Sequence, residues 1–117
     1  NTPLEALVML NDPAMVDAAV AFAADLLKVK GEDSEAKIKR AFELTVSRQP
    51  DAFELAALRK LLESEIKHYR ARPQDAGKLL NTIDKNINFQ SVNPQQLAAW
   101  TTLSRALLNL QETVTRY

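Results

Sequence analysis

Asn93-Pro94-Gln95-Gln96-Leu97-Ala98-Ala99-Trp100-Thr101-Thr102-Leu103-Ser104-Arg105-Ala106-Leu107-Leu108-Asn109-Leu110-Gln111-Glu112-Thr113-Val114-Thr115-Arg116-Tyr117 is the stretch that decides the fold class. Trp100, Leu103, Leu107, Leu110, Val114 and Tyr117 follow one another at alternating steps of three and four residues. That spacing is a heptad seam on a helix, suited to packing along a neighbour. Asn93-Pro94 opens it, with Asn93 as cap and Pro94 at the first helical position, where a missing N–H costs nothing. Trp100 and Tyr117 at seam spacing read as core packing rather than as a ligand platform.

Working back, the prolines and two glycines punctuate further helices. Pro73 marks a break, and a short helix over Gln74–Thr82 is anchored by Leu79, Leu80 and Ile83. Ile87–Val92 reads as an irregular connector, and residues 73–92 carry the weakest pattern. Asp51-x-x-Glu54 is a capping box for a helix whose core stripe is Leu55, Leu58, Leu62, Ile66 and Tyr69. Another helix starts near Asp33 or Ser34, uses Ile38, Ala41, Phe42 and Val46, and ends by Gln49, before Pro50. Pro13 starts one with Val16, Ala19, Val20, Ala23, Leu26 and Leu27 on one face, Lys28 and Lys30 at its negative end and Gly31 as its stop. Thr2-Pro3 opens a first helix, Leu4–Leu10. No alternating strand pattern and no repeat appears. The expectation is an all-α compact bundle of five or six helices, one domain over residues 1–117.

The chain has 117 residues, with fifteen Lys+Arg against fifteen Asp+Glu, so its formal net charge is zero. A phosphate-backbone binder normally carries a basic excess, so no nucleic-acid partner is expected, and a helix-turn-helix reading lacks its basic recognition face. No apolar run approaches the ~20 residues of a spanning helix, so no membrane insertion is expected. The chain has no cysteine, which removes disulfides, thiolate chemistry, cysteine-bound zinc and a haem-attachment motif from its repertoire.

Few residues suggest chemistry. Glu65-x-x-His68 has the spacing of a di-iron carboxylate half-site, but His68 is the sole histidine and such a site needs a second copy of the motif. Glu63 and Glu65 fall on different faces of their helix. No glycine-rich phosphate loop exists. The reading is therefore no catalytic, metal or cofactor-binding residue in this chain. The most specific polar pattern is Arg105, Asn109, Glu112 and Arg116, which lie within about 60° of one another and almost opposite the seam. They form either a solvated stripe, with Glu112 and Arg116 paired at i, i+4, or a docking face for another domain.

Three blocks carry a family resemblance. They are Asn1-Thr2-Pro3-Leu4-Glu5-Ala6-Leu7 closing on Leu10-Asn11-Asp12; Ile38-Lys39-Arg40-Ala41-Phe42-Glu43-Leu44 with Arg48-Gln49-Pro50; and Ala99-Trp100-Thr101 with Arg105-Ala106-Leu107-Leu108-Asn109-Leu110-Gln111-Glu112-Thr113 and Thr115-Arg116. Together they resemble the PSD-type domain of unknown function, with Glu5 where that family usually has Gln and Gln111 where it usually has Asp. The resemblance implies the C-terminal piece of a large exported protein of planctomycetes or related bacteria, often joined to a planctomycete-type cytochrome c module. It implies a periplasmic or cell-envelope location and no established activity, and any haem would belong to another module.

Two expectations follow. The first is a non-catalytic helical module, monomeric, whose partners are upstream domains of its own polypeptide and which shows an apolar or mixed surface patch. The second is a module that lends Arg105, Asn109, Glu112 and Arg116, with Asn11 and Asp12, to an active site shared with upstream domains of an oxidoreductase or polymer-degrading enzyme.

Overall fold

The computed structural model describes residues 13–115. Five helices follow in order: α1 Pro13–Lys28, α2 Ser34–Val46, α3 Ala52–Ala71, α4 Pro73–Leu80 and α5 Pro94–Thr115. No strand occurs among the described residues. The all-α bundle is as the sequence patterns require. The expected Leu4–Leu10 helix, with Asn11 and Asp12, lies outside the described residues.

Local chemistry sets most helix ends. Asp33 caps α2 by accepting from the Ala36 N–H at 2.8 Å. The α3 capping box closes in both directions, Glu54 N–H to Asp51 Oδ1 at 2.7 Å and Asp51 N–H to Glu54 Oε1 at 2.9 Å. Arg48 then forks onto both Glu54 oxygens at 2.8 Å. Pro73 keeps Arg72 out of helical geometry (φ −132°, ψ 73°), so α3 stops and α4 restarts. Asn93 Oδ1 accepts from the N–H groups of Gln95 and Gln96 at 2.9 and 3.1 Å and caps α5. Gly31 takes φ 88° in the turn after α1.

Helix α2 stops at Val46, because Ser47 turns into the left-handed region at φ 65° and its N–H returns to the Glu43 carbonyl. Pro50 comes after the helix has already ended.

Helix α5 is the centre of the bundle and packs against each of the other four described helices. Its seam residues Trp100, Leu103 and Leu107 are buried, while Leu110 is 36% exposed. Ala98, Thr101 and Ser104, off the seam, are buried as well. The N-terminal half of α5 is therefore enclosed on several sides, more than a single seam requires. Around it the core gathers Val20, Ala23 and Leu26 of α1, Ile38 and Phe42 of α2, and Leu62 of α3. Small side chains at Ala19, Ala23 and Ala24 of α1 are fully covered and let its backbone come close. The connector 81–93 has no regular element, yet Ile83, Ile87, Phe89 and Val92 pack on the core.

Candidate functional site

The polar stripe of α5 divides. Arg105 and Asn109 are half-buried where α5 runs beside α3, and with Leu61, Thr102 and Ala106 they line a groove of about 310 Å³. Glu112 is exposed one turn further on. Arg116 lies outside the described residues, as does Tyr117. In the groove wall the Asn109 side-chain oxygen is shielded from solvent and has no hydrogen-bond partner among the described residues. A buried acceptor left without a donor costs about 1–3 kcal/mol, and the groove itself is largely apolar in lining.

Tyr69 closes the same face towards the other end of α3. Burial pushes its hydroxyl above the usual tyrosine range, and the Glu65 carboxylate adds to this. The Thr102 side chain and the Arg105 charge pull the other way. Tyr69, Glu65, Thr102 and Arg105 thus share one electrostatic neighbourhood, joining α3 to α5. Periodicity placed Tyr69 in a core stripe and did not connect it with Arg105.

His68 is about half exposed and does not meet a second ligand set. Its Nε2 lies 3.0 Å from Asp75 Oδ2 of α4, and its ring meets Tyr69 edge-on at 4.9 Å. Asp75 also receives Arg72 Nε at 3.4 Å. This group ties the α3–α4 corner. Among the described residues no three His, Cys, Asp or Glu side chains gather as a metal site. Glu63 is exposed, apart from Glu65. A larger hollow, about 500 Å³, sits in the connector beside Asn81, Asp84, Asn86 and Asn88. There the Asp84 N–H donates to Asp17 Oδ1 of α1 at 3.1 Å, and Asp84 Oδ1 accepts from the Asn86 N–H, so both carboxylates serve the loop backbone.

A second ion-paired corner holds α1 to α2. Arg40 forks onto Glu32 at 2.8–3.1 Å and reaches the Leu26 carbonyl at 3.2 Å. The guanidinium hydrogen bond holds the Glu32 carboxyl below its ordinary range.

The arrangement defines a small helical module whose polar groups join helices and border grooves. Among the described residues, no nucleophile, base and oxyanion donor meet at one point. The chain belongs to the family described as PSD1, protein of unknown function (DUF1553), whose family model matches residues 1–62. That span takes in α1, α2 and α3 as far as Leu62. No curated protein and no solved structure matches the chain. Among the described residues no helix is long and apolar enough to cross a membrane.

Proposed function

We propose that this chain is a non-catalytic interaction module, which holds the upstream part of its own polypeptide against the α3–α5 face. The observation that carries this reading is the groove of about 310 Å³ between α3 and α5, largely apolar in lining and bordered by Leu61, Thr102, Arg105, Ala106 and Asn109. A segment that covers the apolar lining and meets the polar groups at its border closes this face of the bundle. Arg105 and Glu112 supply charges at the rim, with Arg116 assigned to the same stripe by helical spacing alone. The resemblance to exported, cytochrome-c-associated proteins supports a periplasmic or envelope location, with any haem in another module.

The test uses the full-length polypeptide in its exported form. A protease site is introduced ahead of residue 1, and retention of the cleaved module on the remainder is measured for wild type, Asn109→Leu and Arg105→Ala. Retention that falls in the variants, with parent turnover and helical content unchanged, supports the reading. Turnover that falls while retention is unchanged favours an active site shared with upstream domains. Unchanged retention and turnover remove both.

A further inference from the structure

Helix α3 presents a second face, away from the groove. Phe53, in its first turn, is 82% exposed, the most exposed of the large apolar side chains described. Ala57, Lys60, Ser64, Lys67 and Ala71 follow it and are exposed. At 100° per residue these six positions lie within about 80° of one another. They sit opposite the half-buried or buried stripe of Leu55, Leu58, Leu62, Ile66 and Tyr69 that joins the core.

The upper part of this face is hollow. Phe53, Ala56, Ala57, Arg59, Lys60 and Glu63 border a shallow depression of about 420 Å³. The alanines keep its floor low, so another backbone can approach closely. Arg59 turns aside to pair with Glu35 of α2. Lys60 and Lys67 form no ion pair with any described residue. Two turns apart, they place two ammonium groups about 10 Å apart along one line, with the exposed Glu63 between them in sequence. A partner helix with carboxylates seven residues apart matches that spacing.

We infer that the outward face of α3 docks an acidic amphipathic helix of a separate partner protein, its apolar side chain seated beside Phe53 and its carboxylates on Lys60 and Lys67. Burying a phenylalanine in an interface while neutralising flanking lysines gives both anchor and register. A bilayer fits less well, since interfacial helices need a broad apolar face and this one offers a single large apolar side chain beside Glu63. A nucleic acid fits less well too, because phosphate binding calls for a wider basic patch than two lysines. The surface is separate from the α3–α5 groove, so its fate does not depend on that reading.

The experiment places a photoreactive benzoyl analogue of phenylalanine at position 53 of the full-length protein in its native host. Cross-linked peptides are sequenced after irradiation. The expected product joins position 53 to a helix-forming segment with excess Asp and Glu. Its yield should fall about tenfold when Lys60→Glu and Lys67→Glu are combined, as for loss of two interfacial charge pairs. Both lysines are exposed, so a thermal melt should show the double variant folded. Adducts with lipid, with nucleic acid or with a second copy of this chain overturn the inference. So does the absence of any adduct, or an adduct whose yield ignores the charge reversal.

Discussion

The Lys37 ammonium lies 6.0 Å from the centroid of the Trp100 ring, and Lys37 is only 8% exposed. Its aliphatic stem covers the edge of the core where α2 meets α5, and its charge faces Glu32 in the turn after α1. Trp100 itself is 2% exposed and is the chain's single tryptophan. Replacement Trp100→Ala should therefore cost about 3–5 kcal/mol, read from urea melts followed by circular dichroism. Lys37→Met keeps the stem's volume and should change stability by less than about 1 kcal/mol. A much larger loss in Lys37→Met would show that the charge over the ring matters more than the packing.

Acid should weaken the α2–α3 corner in a defined window. The Arg48 hydrogen bond, followed by that of the Asp51 N–H, lowers the Glu54 carboxyl from 4.5 to about 2 in the folded chain. A depressed folded value means the contribution is full above the unfolded value and is lost as pH falls towards 2. Glu32, lowered chiefly by Arg40, acts in the same direction. Melting temperatures of wild type and Glu54→Gln should differ most above pH 4.5 and converge as pH approaches 2. Curves that stay parallel down to the lowest pH would exclude this linkage.

Two left-handed residues make opposite predictions. Ser47 holds φ 65° at the end of α2, a conformation that costs a non-glycine residue about 1–2 kcal/mol. Ser47→Gly should raise stability by about 0.5–1 kcal/mol despite the added freedom of the unfolded chain. Gly31 holds φ 88° with open space where a Cβ would sit. Gly31→Ala meets no neighbour, so its cost, about 1 kcal/mol, comes from backbone strain alone. Thermal melts of both variants check the pair of signs.

The helix starts were legible because caps are local. Asp33, Asp51 and Asn93 each bond N–H groups two or three residues away, and no tertiary knowledge is needed to see them. That α2 ends by Gln49 was legible from Pro50, but its stop at Val46 was not, since serine seldom takes φ > 0. The seam of α5 marked one buried face correctly, but periodicity cannot announce that a helix is surrounded. Ala98, Thr101 and Ser104 are small enough to face either water or another helix, and only the packing of four helices on α5 buries them. For the same reason Arg105 and Asn109 read as a continuous stripe with Glu112, whereas α3 covers one edge of it. The His68–Asp75 contact depends on the angle at Arg72, which the sequence marks only as a break.

Two buried polar groups on α5 separate packing from docking. The hydroxyl of Ser104, fully buried, and the side-chain oxygen of Asn109 both lack a hydrogen-bond partner among the described residues. Ser104 belongs to the enclosed part of the helix, so Ser104→Ala removes an unsatisfied group without exposing anything. Its stability should stay level or rise by up to about 1 kcal/mol, and retention of the module on its parent polypeptide should not change. Asn109 borders the open groove. Asn109→Leu should likewise leave the isolated module level or slightly more stable, yet weaken its retention, because a branched apolar side chain then replaces the amide in the groove wall. Measured side by side, a stability gain in both variants with a retention loss confined to Asn109→Leu identifies the groove as the contact surface. Equal retention in both assigns the Asn109 oxygen to the interior accounting of the bundle and takes the groove out of the docking argument.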